Sequence, residues 1–125
     1  MKFNERVAGV PRDRFIEAVK AELPYFDQRE SEGVKLGGGY VKPLYLQPLY
    51  QNLTGFGDLG CPFKCPHYKG TLNYSKGICP NCEDLHYKEL ITHEFMLPSM
   101  EKEDLDAVIE AFHKVWKLRL NLRED

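Results

Sequence analysis

All four cysteines of this 125-residue chain lie within residues 61–82. They follow the pattern Cys61-x3-Cys65-x13-Cys79-x2-Cys82, which is two close pairs joined by a longer linker. This pattern is typical of a tetrahedral zinc site, because each short pair turns two thiolates inward from one knuckle. A closed shell of four thiolates leaves no position for water. The sequence therefore predicts a structural zinc ion and disfavours a catalytic one.

Several alternatives to this zinc site stay open. The second pair, C-P-N-C, is a standard knuckle, whereas the first, C-P-F-K-C, has one residue more. His67 and His86 are alternative ligands, and four thiolates suit iron as well as zinc. Without a metal, the cysteines are interpreted as buried free thiols or as an exposed redox pair. A cysteine nucleophile is disfavoured, because no residue orients either histidine.

Other residues that could do chemistry have simpler explanations. His113 occupies a polar position of a predicted helix, and His93 lies on the apolar face of a predicted strand. Glu83 and Asp84 open a short helix, where the helix dipole favours acidic side chains. Residues 37–39 are three glycines without the Lys-Ser/Thr of a phosphate-binding loop, so we interpret them as a hinge.

Two amphipathic helices are expected to support this cysteine-rich segment. Residues 11–23 predict a helix that begins at Pro11 and ends before Pro24, with apolar side chains at i, i+4 and i+8. Residues 100–120 predict a longer helix with Ser99 as its N-cap, acids in its first turn and bases in its last. Its apolar stripe comprises Leu105, Val108, Ile109, Phe112, Val115, Trp116 and Leu120.

Strand signals are weaker than the helix signals. Residues 91–97 alternate between Ile91, His93, Phe95 and Leu97 and the side chains between them, which predicts a strand. Residues 40–51 are aromatic, but Pro43 and Pro48 cannot donate to a ladder. That stretch is therefore expected to be an edge strand or an irregular extended segment.

The remaining segments are predicted to be loops and one short helix. Residues 24–39 and 52–80 are rich in glycine, proline or polar side chains, and we expect loops there. Asn81 is expected to cap a short helix over residues 82–90. A structureless stretch as long as residues 52–80 is uncommon in a small domain unless it is functional or held by a ligand.

Together the elements predict an α+β fold. It has two long amphipathic helices and one short helix packed on a small, mainly antiparallel sheet, with a long Cys-rich loop. The length suits one domain over residues 1–125, with a metal knuckle at residues 52–82. The loop has few apolar residues, so zinc would supply folding free energy that its own contacts do not.

Composition and charge exclude some classes of protein. Hydrophobic residues make up 42% and charged residues 29%, which suits a soluble globular protein. No apolar run is long enough to span a bilayer, and the N-terminus lacks the apolar region of a signal peptide. We therefore expect a cytoplasmic protein with no membrane partner. The net charge of −2 and the lack of a Lys/Arg cluster also disfavour binding to nucleic acid.

Four stretches of the chain, in order, carry a family resemblance. They are RDRFIEAVKAEL, GYVKPLYLQPLYQ, NYSKGICPNCEDLH and LPSMEKEDLDAVIEAFHKVW. Together they resemble the C-terminal end of the DegT-type sugar aminotransferases. Those enzymes have fold type I, use pyridoxal phosphate and build amino sugars on nucleotide carriers. The match touches nearly the whole chain but only the last part of such an enzyme.

The resemblance implies a small C-terminal domain that helps to close the active site over a sugar nucleotide. Its partner would be the large domain or a second subunit of the aminotransferase. Tyr40, Lys42 and Tyr45 would lie on the segment nearest the substrate or that partner, and Glu83 matches a glutamate of the family pattern. No stretch here resembles the cofactor lysine, the aspartate or the phosphate-binding residues of the large domain. Pyridoxal phosphate is therefore expected only in a full-length enzyme and not on this chain.

Three hypotheses follow from these patterns. An aminotransferase domain would be inactive alone, and its exposed apolar surface would cause self-association without the large domain. A free-standing zinc-stapled interaction module would have a closed surface. A ribbon-type nucleic-acid binder is disfavoured by the acidic balance. Residues 24–33 look like an insertion relative to the family, and three of the four cysteines exceed its pattern.

Overall fold

The computed structural model describes residues 1–23, 35–94, 98 and 100–123. These residues form a mixed α+β fold, which confirms the predicted fold class. The chain divides into two compact units. We call Met1–Gly39 with Tyr87–Asp125 the helical unit, and Tyr40–His86 the cysteine unit. The single domain over residues 1–125 stays a prediction.

The regular elements of the described residues are short, apart from two helices. The helices are α1 (Glu5–Ala8), α2 (Arg12–Glu22), α3 (Pro48–Gln51), α4 (Pro80–Asp84) and α5 (Lys102–Leu118), and the strands are β1 (Lys35–Gly37) and β2 (Thr92–Glu94). Single turns of 3-10 or π helix cover Leu44–Leu46, Leu85–Glu89 and Arg119–Leu122. None of the helices in this described part is long and apolar enough to cross a bilayer.

Helix α2 confirms the helix predicted over residues 11–23. Pro11 is its N-cap. At this position a fixed φ is tolerated, and the missing N–H of proline costs no hydrogen bond within the helix. Its apolar face buries Phe15, Ile16 and Val19, and Val19 is fully buried. The i, i+4 spacing that predicted the helix is therefore the spacing that builds the core of the helical unit.

Arg12, at the start of α2, is buried although it is charged. Its guanidinium pairs with Asp13 at 2.7 Å, and its Nη1 donates to the carbonyl oxygen of Leu90 at 3.1 Å. A Cβ added at Gly38 would lie 2.7 Å from the same guanidinium. Arg12 therefore connects α2 to the segment before β2, and a side chain at Gly38 would have to displace its guanidinium.

Helix α5 confirms the second long helix but begins later than expected. Glu101 is its N-cap and forms a capping box with Asp104, whose side chain accepts from the Glu101 N–H at 2.9 Å. Ser99, the expected cap, lies outside the described residues. The capping box was not predicted, because glutamate is not among the preferred N-cap residues.

The apolar stripe of α5 is narrower than the sequence predicts. Val108 and Val115 are buried as expected, together with Ala111. Ile109 is 53% exposed, and Trp116 and Leu120 are also exposed, so these three residues of the predicted stripe are not buried. Positions 108, 111 and 115 lie on one face, whereas Ile109 is turned about 100° from Val108 around the helix axis.

The small sheet pairs β1 with β2 in antiparallel register. Leu36 lies opposite His93, and Leu36 is buried. The loop predicted over residues 24–39 is therefore wrong at residues 35–37, whose partner strand lies far along the chain. His93 was predicted to lie on an apolar face, but all three residues of β2 are exposed. Residues 24–34 and 95–97 lie outside the described part.

The core of the helical unit centres on Phe15. Its ring lies 5.1 Å from that of Phe3, 6.2 Å from that of Phe112 and 6.1 Å from that of Trp116, measured between centroids. Val19 and Val108 belong to the same buried cluster. This cluster is made entirely of residues from the helical unit.

The first part of the cysteine unit is helical, and the extended segment predicted over residues 40–51 is wrong. Pro43 precedes the 3-10 turn Leu44–Leu46, and Pro48 is the first residue of α3. Neither proline lies in a central strand, as predicted. The fixed φ of proline also suits the first turn of a helix, and the prediction did not take this into account.

Helix α4 begins at Pro80, with Cys79 as its N-cap, so the expected cap at Asn81 is wrong. The short helix predicted over residues 82–90 is present as α4 followed by the π-helical turn Leu85–Glu89. Between Asn52 and Cys79 the chain runs through turns, with one isolated bridge between Phe56 and Cys61.

Candidate functional site

The four predicted zinc ligands occupy different environments in the cysteine unit. Cys61 pairs with Phe56 in the isolated bridge and is partly buried, while Cys65 is only 7% exposed. Cys79 is partly buried at the start of α4, and Cys82 is exposed within that helix. The first pair is thus the more enclosed of the two.

The thiols of Cys61 and Cys65 shift one another's pKa in opposite directions. Hydrogen bonding from the Cys61 thiol is the largest cause that lowers the pKa of Cys65, and the backbone N–H groups of His67 and Tyr68 lower it further, while burial acts in the opposite direction. Hydrogen bonding to Cys65, followed by burial, raises the pKa of Cys61.

The two cysteine pairs do not meet in this structure. The described residues include all four cysteines, and they contain no group of three or more His, Cys, Asp or Glu side chains that could hold a metal ion. The donor set fits a thiophilic metal at the first pair, but the four-sulfur shell is not assembled. The zinc site at Cys61, Cys65, Cys79 and Cys82 stays a prediction.

Backbone hydrogen bonds fix the chain at Cys61. The N–H of Phe56 donates to the Cys61 carbonyl oxygen at 2.6 Å, and the Cys61 N–H donates back at 3.2 Å. This bridge depends on Gly55, where an added Cβ would lie 2.4 Å from the carbonyl oxygens of Gly60 and Cys61. No side chain fits that gap, so the glycine allows the close approach that orients Cys61.

Three aromatic rings hold the turn between the first two cysteines. Phe63 lies between Cys61 and Cys65 in the sequence, and its ring packs 6.1 Å from that of Tyr50 and 6.3 Å from that of Tyr74. The rings of Tyr50 and Tyr74 lie 5.3 Å apart. This trio was not predicted from the sequence, because its members follow no helix or strand period.

Tyr45 and Glu83 meet although they are 38 residues apart. The Tyr45 hydroxyl donates to a carboxylate oxygen of Glu83, and the Gly77 N–H donates to the same oxygen at 2.7 Å. The hydrogen bond from Tyr45, followed by that from Gly77, lowers the pKa of Glu83. Sequence reasoning singled out both residues through the family resemblance, but it did not predict this contact.

Gln51 joins the same network from α3. Its side-chain amide donates to the carbonyl oxygens of Tyr45 at 2.8 Å and of Tyr74 at 2.7 Å. The network therefore ties the start of the cysteine unit to the segment before α4. No signal in the sequence distinguished Gln51 from other polar residues.

The predicted substrate-side residues fall into two groups. Tyr45 is engaged with Glu83, whereas Tyr40 is 90% exposed and Lys42 is also exposed. Tyr40 and Lys42 are thus available to an external molecule, and Tyr45 acts within the unit.

The cysteine unit buries almost none of its own side chains. Only Pro43 and Cys65 are buried among residues 40–86. Large apolar side chains are instead exposed along residues 40–59: Tyr40, Val41, Leu44, Leu49, Phe56 and Leu59. Most of the large apolar side chains in this stretch are therefore open to solvent.

The lysines do not fit a pyridoxal-phosphate site. Such a lysine works when its amine is desolvated and a carboxylate orients the cofactor ring. Every lysine whose burial the structure describes is exposed, and Lys35 is the one whose burial is not described. No chemistry of that cofactor is therefore assigned to the described residues.

Comparison of this chain with family models, with curated proteins and with solved structures finds no match. The resemblance to the DegT-type aminotransferases therefore stays a prediction.

Proposed function

We propose that this chain is a non-catalytic domain of a nucleotide-sugar aminotransferase that uses pyridoxal phosphate. It docks on the large domain or a second subunit and closes the substrate side of the active site. The cofactor and the catalytic lysine belong to that partner. The supporting observation is the row of exposed apolar side chains along residues 40–59.

The physical support is the imbalance between the two units. The helical unit has a buried cluster around Phe15, but the cysteine unit buries only Pro43 and Cys65. Burying apolar area contributes roughly 25 cal/mol per Å², so an uncovered Phe56, 84% exposed, forgoes a stabilising contact. A partner that covers these side chains would supply that contact.

Residues 40–42 are exposed and add polar groups to the apolar side chains of residues 40–59. Tyr40 and Lys42 present a phenol and an ammonium beside Val41. An ammonium suits the phosphates of a sugar nucleotide or an acidic group of the partner. The contact between Tyr45 and Glu83 holds the following turn, so we assign Tyr45 to support and Tyr40 and Lys42 to recognition.

A structural zinc ion on the four cysteines is the second part of the proposal. Its support is the spacing of the four cysteines, together with the low burial of the unit that carries them. Zinc would replace the missing apolar core of the cysteine unit. Reduced cysteines of this kind suit a cytoplasmic location.

Metal analysis with chelation tests the zinc. The purified protein is expected to contain about one zinc ion per chain and to melt at a lower temperature after chelation, because metal binding free energy is folding free energy. Protein that contains no zinc as purified, and melts at the same temperature with and without chelator, would contradict the zinc.

The reading frame upstream of Met1 tests the family part. A frame that continues into a domain with a pyridoxal-phosphate lysine supports the proposal, as does an adjacent gene for such a domain. A stop codon directly upstream, with no aminotransferase gene beside it, contradicts it.

The second candidate function is a free-standing zinc-stapled interaction module. The spacing of the four cysteines favours it as well, since both functions use the same metal. The two differ in the surface, because a free-standing module stays monomeric without an aminotransferase. The exposed side chains along residues 40–59 favour the first function.

A further inference from the structure

Helix α5 has a second apolar face that the core of the helical unit does not bury. Ile109 and Trp116 are exposed, and because they are seven residues apart they lie within about 20° of each other around the helix axis. Leu120, in the turn after the helix, is exposed as well. We call Ile109, Trp116 and Leu120 the outer stripe of α5. The buried Val108 lies about 100° away from Ile109.

Acidic side chains border this outer stripe. Residues 101–110 contain five acidic residues and one lysine, so their net charge is −4. The helix dipole explains acids in the first turn only, whereas Asp106 and Glu110 lie in the second and third turns and are exposed. They lie about 60° and about 100° from Ile109, on the same side of it. Asp106 also pairs with Lys102, so Glu110 is the clearer of the two signals.

The cysteine unit carries the opposite charge around its exposed apolar residues. Residues 40–78 contain four lysines and one acidic residue, Asp58, so their net charge is +3 in a chain of net charge −2. All four lysines are exposed: Lys42, Lys64, Lys69 and Lys76. The segment with the most exposed apolar side chains is therefore basic.

One of these lysines lies beside exposed apolar side chains. Phe56 and Leu59 are exposed in the turn that the bridge between Phe56 and Cys61 closes. The side chain of Lys64 lies 3.4 Å from the position that a Cβ on Gly60 would take, so it packs against this turn. The turn thus presents apolar groups next to a positive charge, which complements the outer stripe and its acidic border.

We infer that residues 40–59 dock on the outer stripe of α5 in a second copy of this chain. The inference rests on the docking surface of the proposed function and deepens it, because it names the second subunit and the face that this subunit presents. Apolar contact between the two surfaces supplies affinity, and the opposite charges select the orientation and speed the encounter. Since the two surfaces differ, each copy contributes a different one to the contact.

Substitutions on α5 test the apolar part of this contact. Sedimentation velocity over a concentration series is expected to show that Ile109→Ser weakens self-association at least about tenfold. Leu118→Ser is the matched control, because Leu118 is also exposed but lies about 180° from Ile109 on the same helix, and it should associate like the wild type. Equal association of the Ile109→Ser protein and the wild type, or an equal loss in both variants, overturns the inference.

Two charge-reversal variants test the complementarity. Lys42→Glu with Lys64→Glu places acidic groups at both surfaces, and Asp106→Lys with Glu110→Lys places basic groups at both. Each double variant alone is expected to stay monomeric where the wild type associates, since like charges oppose the contact. An equimolar mixture of the two should associate, because each acidic surface then meets a basic one. Association that occurs only in the mixture cannot come from misfolding of either variant.

The outcomes separate this inference from the proposed function. If the mixture stays monomeric, or if either double variant alone associates like the wild type, the inference is overturned while the docking surface at residues 40–59 stands. A wild type that is monomeric throughout overturns both the inference and the docking surface. The tests of the zinc and of the reading frame do not depend on any of these results.

Discussion

Glu83 is held by specific hydrogen bonds within the cysteine unit. It accepts hydrogen bonds from the Tyr45 hydroxyl and the Gly77 N–H, and both lower its pKa. A carboxylate with a lowered pKa contributes stability above the ordinary glutamate pKa of about 4.3, and the contribution is lost as the pH falls through the folded value. The turn around Gly77 should therefore loosen only in acid.

The first prediction concerns the pH dependence of the Gly77 amide. Its proton resonance should titrate with a midpoint below the ordinary glutamate range, because it donates to the Glu83 carboxylate. In Glu83→Gln the titration should disappear. In Tyr45→Phe the midpoint should rise, since the largest cause of the lowered pKa is removed. An unchanged titration in Glu83→Gln would rule out the contact.

Gly55 is the second residue whose identity matters. An added Cβ there would overlap backbone atoms, which cannot rotate away as a side chain would. Gly55→Ala should therefore disrupt the bridge and speed amide exchange at Cys61 at least about tenfold. Gly37→Ala is the control, because the nearest atom to its Cβ is 3.9 Å away. Slow exchange at Cys61 in Gly55→Ala would show that the bridge tolerates a side chain.

At the scale of elements, the amphipathic helices were the part of the fold that the sequence predicted best. The apolar spacing in α2 identifies its buried face, because an amphipathic helix turns its apolar stripe toward the core. The pairing of β1 with β2 joins residues far apart in the chain, and Gly37 weakens the local strand signal. Residues 40–51 were misassigned because proline suits both helix starts and extended chain.

In the candidate site, too, the sequence did not predict contacts between residues that are far apart in the chain. Cysteine spacing predicts a shared metal site for Cys61 and Cys65, and that site stays a prediction. It could not predict the packing of Phe63 on Tyr50 and Tyr74, since such contacts depend on how the turns fold and not on a period. The meeting of the two cysteine pairs stays a prediction for the metal-bound protein.

A stability prediction follows from the core of the helical unit. Phe15→Ala removes a buried ring that packs on three other rings, and it should lower the free energy of unfolding by about 3–5 kcal/mol. Chemical unfolding followed by the fluorescence of the single tryptophan, Trp116, measures the change. Ile109→Ala is the matched control on α5 and should change it by less than about 1 kcal/mol, because Ile109 is exposed. Equal effects would contradict the core assignment.

For the whole molecule, the two units imply different sources of stability. The helical unit has a buried apolar cluster, and the cysteine unit has hydrogen bonds, three packed rings and four thiols. A segment with so little burial is expected to depend on a metal ion, a partner or both. This dependence is the reason for proposing a docking domain that carries a zinc ion.

The central claim is that residues 40–59 are covered by a partner in the working protein. The quadruple variant Tyr40→Ser, Val41→Ser, Leu44→Ser and Phe56→Ser replaces exposed side chains only, so its circular dichroism should match that of the wild type. The control Val7→Ser replaces an exposed apolar residue of the helical unit and should behave like the wild type.

Sedimentation velocity over a concentration series of these three proteins tests the claim most directly. The wild type and the Val7→Ser control are expected to self-associate as concentration rises, while the quadruple variant stays monomeric. A wild type that remains monomeric through the whole series would contradict the docking surface.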